Sequence, residues 1–151
     1  MEALTADELK LFVESVRQYF RVVTRQEPQI TSAFLATTEL QGHDYNGIVS
    51  FSGAFNGHVI VSMPGQLLKE LLLLQGETDV SQANLLDAVG EIANTLGGNA
   101  RKTLGAALQI SVPMKLHGSG GIQARVRKHP YAITLKWNHQ PAVVCVDMEK
   151  R

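Results

Sequence analysis

Leu85-Leu86-Asp87-Ala88-Val89-Gly90-Glu91-Ile92-Ala93-Asn94-Thr95-Leu96-Gly97-Gly98-Asn99-Ala100-Arg101-Lys102-Thr103-Leu104-Gly105 is the stretch on which the fold turns. Leu85, Val89, Ile92, Ala93, Leu96, Ala100 and Leu104 recur at helical spacing and fall on one side of a helical wheel. Asp87, Glu91, Asn94, Gly98, Arg101 and Gly105 fall on the opposite side. The split predicts a long helix over roughly 82–107, capped by Asp79 or Ser81, with one face buried and the other open to solvent or a partner. Lys102 is the exception, near the apolar side, where its long stem can carry the charge outward.

Glu91 and Asn94 stand three residues apart, so their side chains are neighbours on the open face. Gly97 and Gly98 follow directly. A glycine inside a helix costs about 1 kcal/mol relative to alanine, so two in succession ask for a close approach that a side chain would block. For Gly97 the approaching group is either the protein's own sheet or another molecule. Gly98, on the outer side, points to a partner.

Working outward, Thr5 and Glu8 form a capping box before the stripe Leu9, Phe12, Val13, Val16, Phe20 and Val23, which predicts an amphipathic first helix. Pro28 marks its exit. A strand is expected over about 29–40, a turn over 42–47, and two β runs over 48–52 and 58–62, with Asn56-Gly57 as the hairpin turn between them. Pro64 starts a helix whose inner face carries Leu67, Leu68, Leu71, Leu72 and Leu74, and Gly76 ends it. Beyond the long helix, β runs are expected over 109–116, 122–128, 131–137 and 142–148, the last two joined through Asn138-His139-Gln140-Pro141. The whole reads as one domain over 1–151 of the α/β class, α+β type: a mostly antiparallel sheet flanked by helices.

Composition narrows the function classes. Hydrophobic residues make up 44% and charged residues 19%, enough for a packed core and against disorder. Lys+Arg and Asp+Glu are both 14, so no basic excess points to nucleic acid or an anionic membrane. The single cysteine, Cys145, excludes a disulfide within the chain and reads as a small buried hydrophobe rather than a nucleophile. The acidic opening lacks the apolar core of a secretory signal, and the leucine cluster Leu71–Leu74 is too short to span a bilayer, so a cytoplasmic, soluble protein is expected.

Other candidate chemistries fail on spacing. His43, His58, His117, His129 and His139 show neither H-x-H nor H-E-x-x-H spacing, so no metal site is expected. Gly97-Gly98-Asn99-Ala100-Arg101-Lys102-Thr103 puts Arg101 where a P-loop needs glycine, inside a helix rather than after a strand. His117-Gly118-Ser119-Gly120-Gly121 reads as a loop, and Ser119 has no His or Asp that the sequence places beside it. Tyr131 and Trp137 suit a sheet core.

Gly90-Glu91-Ile92-Ala93-Asn94-Thr95-Leu96-Gly97-Gly98-Asn99-Ala100, with Asp87-Ala88-Val89 before it and Ile110-Ser111-Val112-Pro113 and Gly118 after it, resembles the E-x-x-N…G-N-A signature of the CheX/CheC/FliY chemotaxis phosphatase family. That resemblance implies hydrolysis of the aspartyl phosphate on a response-regulator receiver domain, typically CheY. It implies that Asn94 orients the attacking water and that Glu91 pairs with a lysine of the receiver, with Asp87, Gly98 and Arg101 as partner-binding residues. The receiver would supply the Mg²⁺, so no cofactor of the chain's own is implied. Only Asn94 has a Glu three residues before it, and one motif per chain resembles CheX, which implies a homodimer with strands joining across the interface. The alternative is a non-catalytic module that docks a receiver or a flagellar-switch component through the same helix face.

Overall fold

In the computed structural model, residues 2–37, 40–105, 107–118 and 130–150 are described. The chain runs β1 (Glu2–Ala3), α1 (Ala6–Thr24), β2 (Gln29–Leu35), β3 (Tyr45–Gly53), β4 (Phe55–Met63), α2 (Gly65–Leu74), α3 (Gln82–Leu104), β5 (Leu108–Ile110), β6 (Met114–His117), β7 (Tyr131–Trp137) and β8 (Gln140–Lys150). Among the described residues these strands form one sheet in the order β2-β7-β8-β4-β3-β5, with β6 following β5 on the same side of β3 and β1 on the end of β8. Every pairing is antiparallel, as the α+β reading expects.

Alternation along the central strands separates two apolar layers. Tyr45, Val49, Phe51, Val59, Val61, Met63, Val144, Val146 and Met148 face the helices and join the main core with Phe12, Val16, Phe20, Leu67, Leu71, Val89 and Leu96. Ile48, Ile60, Val143 and Cys145 form a smaller cluster on the opposite layer, packed against Leu40 and Leu116. Cys145 is fully buried there, as a small hydrophobe should be.

Local chemistry sets the helix ends. The Thr5–Glu8 capping box is complete: Thr5 N–H donates to Glu8 Oε1 at 2.8 Å and Glu8 N–H donates to Thr5 Oγ1 at 3.2 Å. Ser81 is the cap of α3, accepting from Asn84 N–H at 3.4 Å, while Asp79 Oδ1 accepts from Ser81 N–H at 3.0 Å. α3 stops at Leu104, short of the expected end, because its chain turns out at Gly105. α1 ends at Thr24, where Arg25 takes a left-handed conformation, four residues before Pro28. Leu67, Leu68, Leu71 and Leu72 of α2 are buried, but Leu74, the last residue of the helix, is exposed, against the expectation for the inner face.

Expectations for the strands and turns change as well, and the first strand ends at Leu35 rather than near 40. Asn56-Gly57 is not the turn: both residues lie inside β4, and the chain reverses at Gly53 and Ala54. Gly57 is there because β8 passes so close that a Cβ would lie 1.8 Å from Asp147 O. The turn expected over 42–47 gives its last three residues to β3. The single run expected over 109–116 is two strands, β5 and β6, separated by Ser111, Val112 and Pro113. The run expected over 122–128, with Ser119 and His129, lies outside the described residues. The last hairpin is present, but its turn is only Asn138 and His139, both at positive φ as a two-residue turn needs, and Gln140 and Pro141 already belong to β8.

Candidate functional site

α3 sits on bare backbone. A Cβ at Gly47 of β3 would lie 2.3 Å from Val89 O, so only glycine lets strand and helix meet at that spot. Gly97 serves the same seat: a Cβ there would meet Val49 Cγ1 at 3.3 Å and Phe51 Cζ at 3.5 Å. Of the two readings of Gly97, packing against the protein's own sheet is therefore the one found. Asn99 ties α3 to α1, its Nδ2 donating to the buried Ser15 Oγ at 2.9 Å.

This seating turns the other face outward. Leu85, Val89, Ile92, Ala93, Leu96 and Ala100 are buried, whereas Asp87, Glu91, Asn94 and Arg101 are exposed. Lys102 is exposed as well, in keeping with a long stem that carries its charge outward. A Cβ at Gly98 would meet nothing within 4 Å. Glu91 and Asn94 share a shallow groove of about 300 Å³ with Asp87, Gly90, Val112, Pro113 and Lys115. Gly98 and Arg101 do not line that groove; they lie further along the same helix.

The second wall comes from β5 and β6, which end the sheet among the described residues. Ser111 N–H donates to Ser50 O at 2.9 Å, and Met114 pairs with Ile48. Between the pairs Phe51–Ile110 and Ile48–Met114, Val49 and Ser50 run opposite three residues, Ser111, Val112 and Pro113, so this side carries one extra residue, as a β-bulge does. Ser111 Oγ closes it, accepting from Ser50 N–H at 2.9 Å and donating to Val112 O at 3.1 Å. Proline has no N–H to give the ladder, so it suits this break. On the far side Lys115 Nζ reaches Asp87 Oδ1 at 2.5 Å, its stem lying over Gly90.

The electrostatics agree with this placement. Burial pushes the Tyr19 phenol well above its ordinary range, and the Glu91 carboxylate pushes it further, so the charge of Glu91 is felt at α1. An amide and a carboxylate side by side can position a water and hold a cation. The amide can take no proton at neutral pH. Among the described residues no three His, Cys, Asp or Glu side chains come together as metal ligands.

Lys115, Val112 and Pro113 were not among the sequence-derived site residues. Lys115 reaches the groove because β6 pairs with Gly47, the same glycine that seats α3. Pro113 inside an apparent strand was the one available signal of a break.

The family described as "Chemotaxis phosphatase CheX" matches residues 45–136, which hold β3 through most of β7 and the whole groove. No curated protein matches the chain. Among solved structures, a CheC-like superfamily protein from Shewanella sp. PV-4 superimposes with a TM-score of 0.79 at 17% identity, covering 97% of this chain and 99% of that one. The chemotaxis protein CheX from Vibrio vulnificus gives 0.76 at 20% identity, covering 95% of this chain and 100% of that one. A chain of the CheX-CheY-BeF3-Mg²⁺ complex from Borrelia burgdorferi gives 0.78 at 16% identity, covering 97% and 100%. With a CheC-like fold and a family match over most of its length, the chain belongs to the CheX family of chemotaxis phosphatases.

Proposed function

We propose that the chain hydrolyses the aspartyl phosphate of a CheY-like receiver domain. Asn94 orients the attacking water and Glu91 pairs with a lysine of the receiver. The water oxygen attacks phosphorus, the bond from phosphorus to the aspartate oxygen breaks, and the aspartate carboxylate and inorganic phosphate leave. Placing water in line is the main service phosphoryl transfer asks of a protein. Asn94 cannot take the water's proton, which goes to phosphate or solvent. A carboxylate beside a phosphoryl group is repelled, so Glu91 serves by finding a cation. The Mg²⁺ belongs to the receiver. A cytoplasmic homodimer is part of this reading, joined through the edge of β2 that is unpaired among the described residues. No helix among the described residues is long and apolar enough to cross a membrane.

The observation that carries the proposal is that Glu91 and Asn94 both stand exposed, side by side, in one groove on a helix seated rigidly on the sheet. The test is the decay of phosphorylated receiver with and without the protein. Wild type should accelerate it and Asn94→Ala should not. Equal decay with the two proteins overturns the catalytic assignment. The single Glu-x-x-Asn motif also fits a module that docks without hydrolysis. That second reading is selected if the wild type retains the receiver but gives no turnover.

A further inference from the structure

We infer that the bulge at Val112 is a second docking element for the receiver, an apolar anchor that sets affinity while the helix pair does the chemistry; this rests on the receiver reading above. Val112 is 87% exposed, more than any other large exposed hydrophobic of the described residues. A lone exposed valine needs no explanation on most surfaces. Here three further observations attach to it. The ladder of β3 is broken at this point, so the valine is lifted off the edge by a bulge. The bulge is held from both sides, by the Ser50–Ser111 hydrogen bonds and by the Lys115–Asp87 ion pair. Val112 also lines the same groove as Glu91 and Asn94, so whatever reaches that pair meets it.

A bulge can serve only to keep an edge from pairing with other chains. Pro113 and Lys115 already serve that purpose, and it gives no reason for the most exposed large hydrophobic of the described residues to stand at the tip. An apolar, conformationally restricted tip beside a polar pair is the arrangement of an interface anchor, with hydrophobic contact at one point and charge recognition beside it. The occupant is a receiver surface with an apolar depression next to its phosphorylated aspartate.

The experiment measures turnover of phosphorylated receiver over a range of receiver concentrations, with binding of the beryllofluoride- and Mg²⁺-loaded receiver in parallel. Wild type, Val112→Ser, Val112→Ile and Asn94→Ala are compared. Val112→Ser should raise KM and Kd about ten-fold, the loss expected for withdrawing one valine from a buried contact, with kcat unchanged. Val112→Ile should stay within about two-fold of wild type, because it keeps the apolar tip. If Val112→Ser binds like wild type while Asn94→Ala loses turnover, the anchor is overturned and the phosphatase reading stands. If wild type gives no turnover but Val112→Ser still binds about ten-fold more weakly, the anchor stands and the phosphatase reading falls. If wild type does not bind any loaded receiver of its own cell, both fall.

Discussion

Lys115 Nζ lies 2.5 Å from Asp87 Oδ1, and the stem between lies across Gly90, so one ion pair joins the sheet edge to the helix of the site. Both side chains are substantially exposed, and such a pair contributes about 0–1 kcal/mol to folding. Its effect is positional. Asp87→Ala should move Tm by no more than about 4 °C yet weaken receiver binding several-fold. The double exchange Asp87→Lys with Lys115→Asp should restore most of the binding. If Asp87 itself contacts the receiver, the exchange will not restore it.

Glu91 and Asn94 should separate in a binding measurement. On the proposed roles, Glu91→Ala removes the partner of a receiver cation and should raise Kd about ten-fold. On the same proposal, Asn94→Ala removes only the group that orders water. Its Kd should stay within about two-fold while kcat drops on the order of 100-fold. Equal dissociation constants for the two variants contradict this division of roles.

The adjacent glycines should respond in opposite directions. A Cβ at Gly98 meets nothing, so Gly98→Ala should stabilise the helix by about 1 kcal/mol and raise Tm by roughly 2–4 °C. Gly97→Leu must push into Val49, Phe51 and Ile110 and should lower stability by about 1–3 kcal/mol. Thermal unfolding of the two variants decides. If Gly98 is a place where the receiver comes close, the more stable Gly98→Ala will also bind it less well.

Cys145 should be silent in the folded protein. Burial pushes its thiol up to about 12, and the neighbouring Asp147 adds to the shift. At pH 8 the native chain should take up no thiol reagent over minutes, and one equivalent should react once guanidinium unfolds it. The folded thiol keeps its proton to a higher pH than the unfolded one, whose ordinary value is 9.0. The stability that follows from this is therefore complete below about 9 and lost as pH rises toward 12. Denaturant midpoints across that range should fall.

The edge of β2 offers a test of self-association. Phe34 and Leu35 are 42% and 46% exposed on a strand that pairs only with β7 among the described residues. Phe34→Glu should shift the sedimentation of the protein to that of a monomer, since a charge on an edge strand opposes pairing with a second copy. An unchanged sedimentation coefficient rules out this edge as the interface.

What could be read from the residues was local or periodic. The Thr5–Glu8 box acts over one turn, and the inner stripe of α3 repeats every three or four residues, so both stood in the sequence. Glu91 and Asn94 were legible for the same reason, being neighbours on one helix. Lys115 was not, because its place beside Asp87 depends on β6 lying against Gly47, a long-range register that no short window contains. Asn56-Gly57 misled because its composition is that of a hairpin turn, while the real demand on Gly57 comes from β8, paired there through Met148. Ser111 to Pro113 passed as strand because the apolar pattern continues across a break that only β3 reveals.

The contact of Gly47 with the carbonyl of Val89 divides the molecule into a part that cannot vary and a part that can. Any methyl group at position 47 would wedge the long helix away and tilt its outer row of side chains off target. Glu91 and Asn94 of that row are exposed and lie away from this contact, so they can be exchanged without disturbing the seat. Exchanging those two outward residues should therefore alter what the groove can do while the architecture stays as it is.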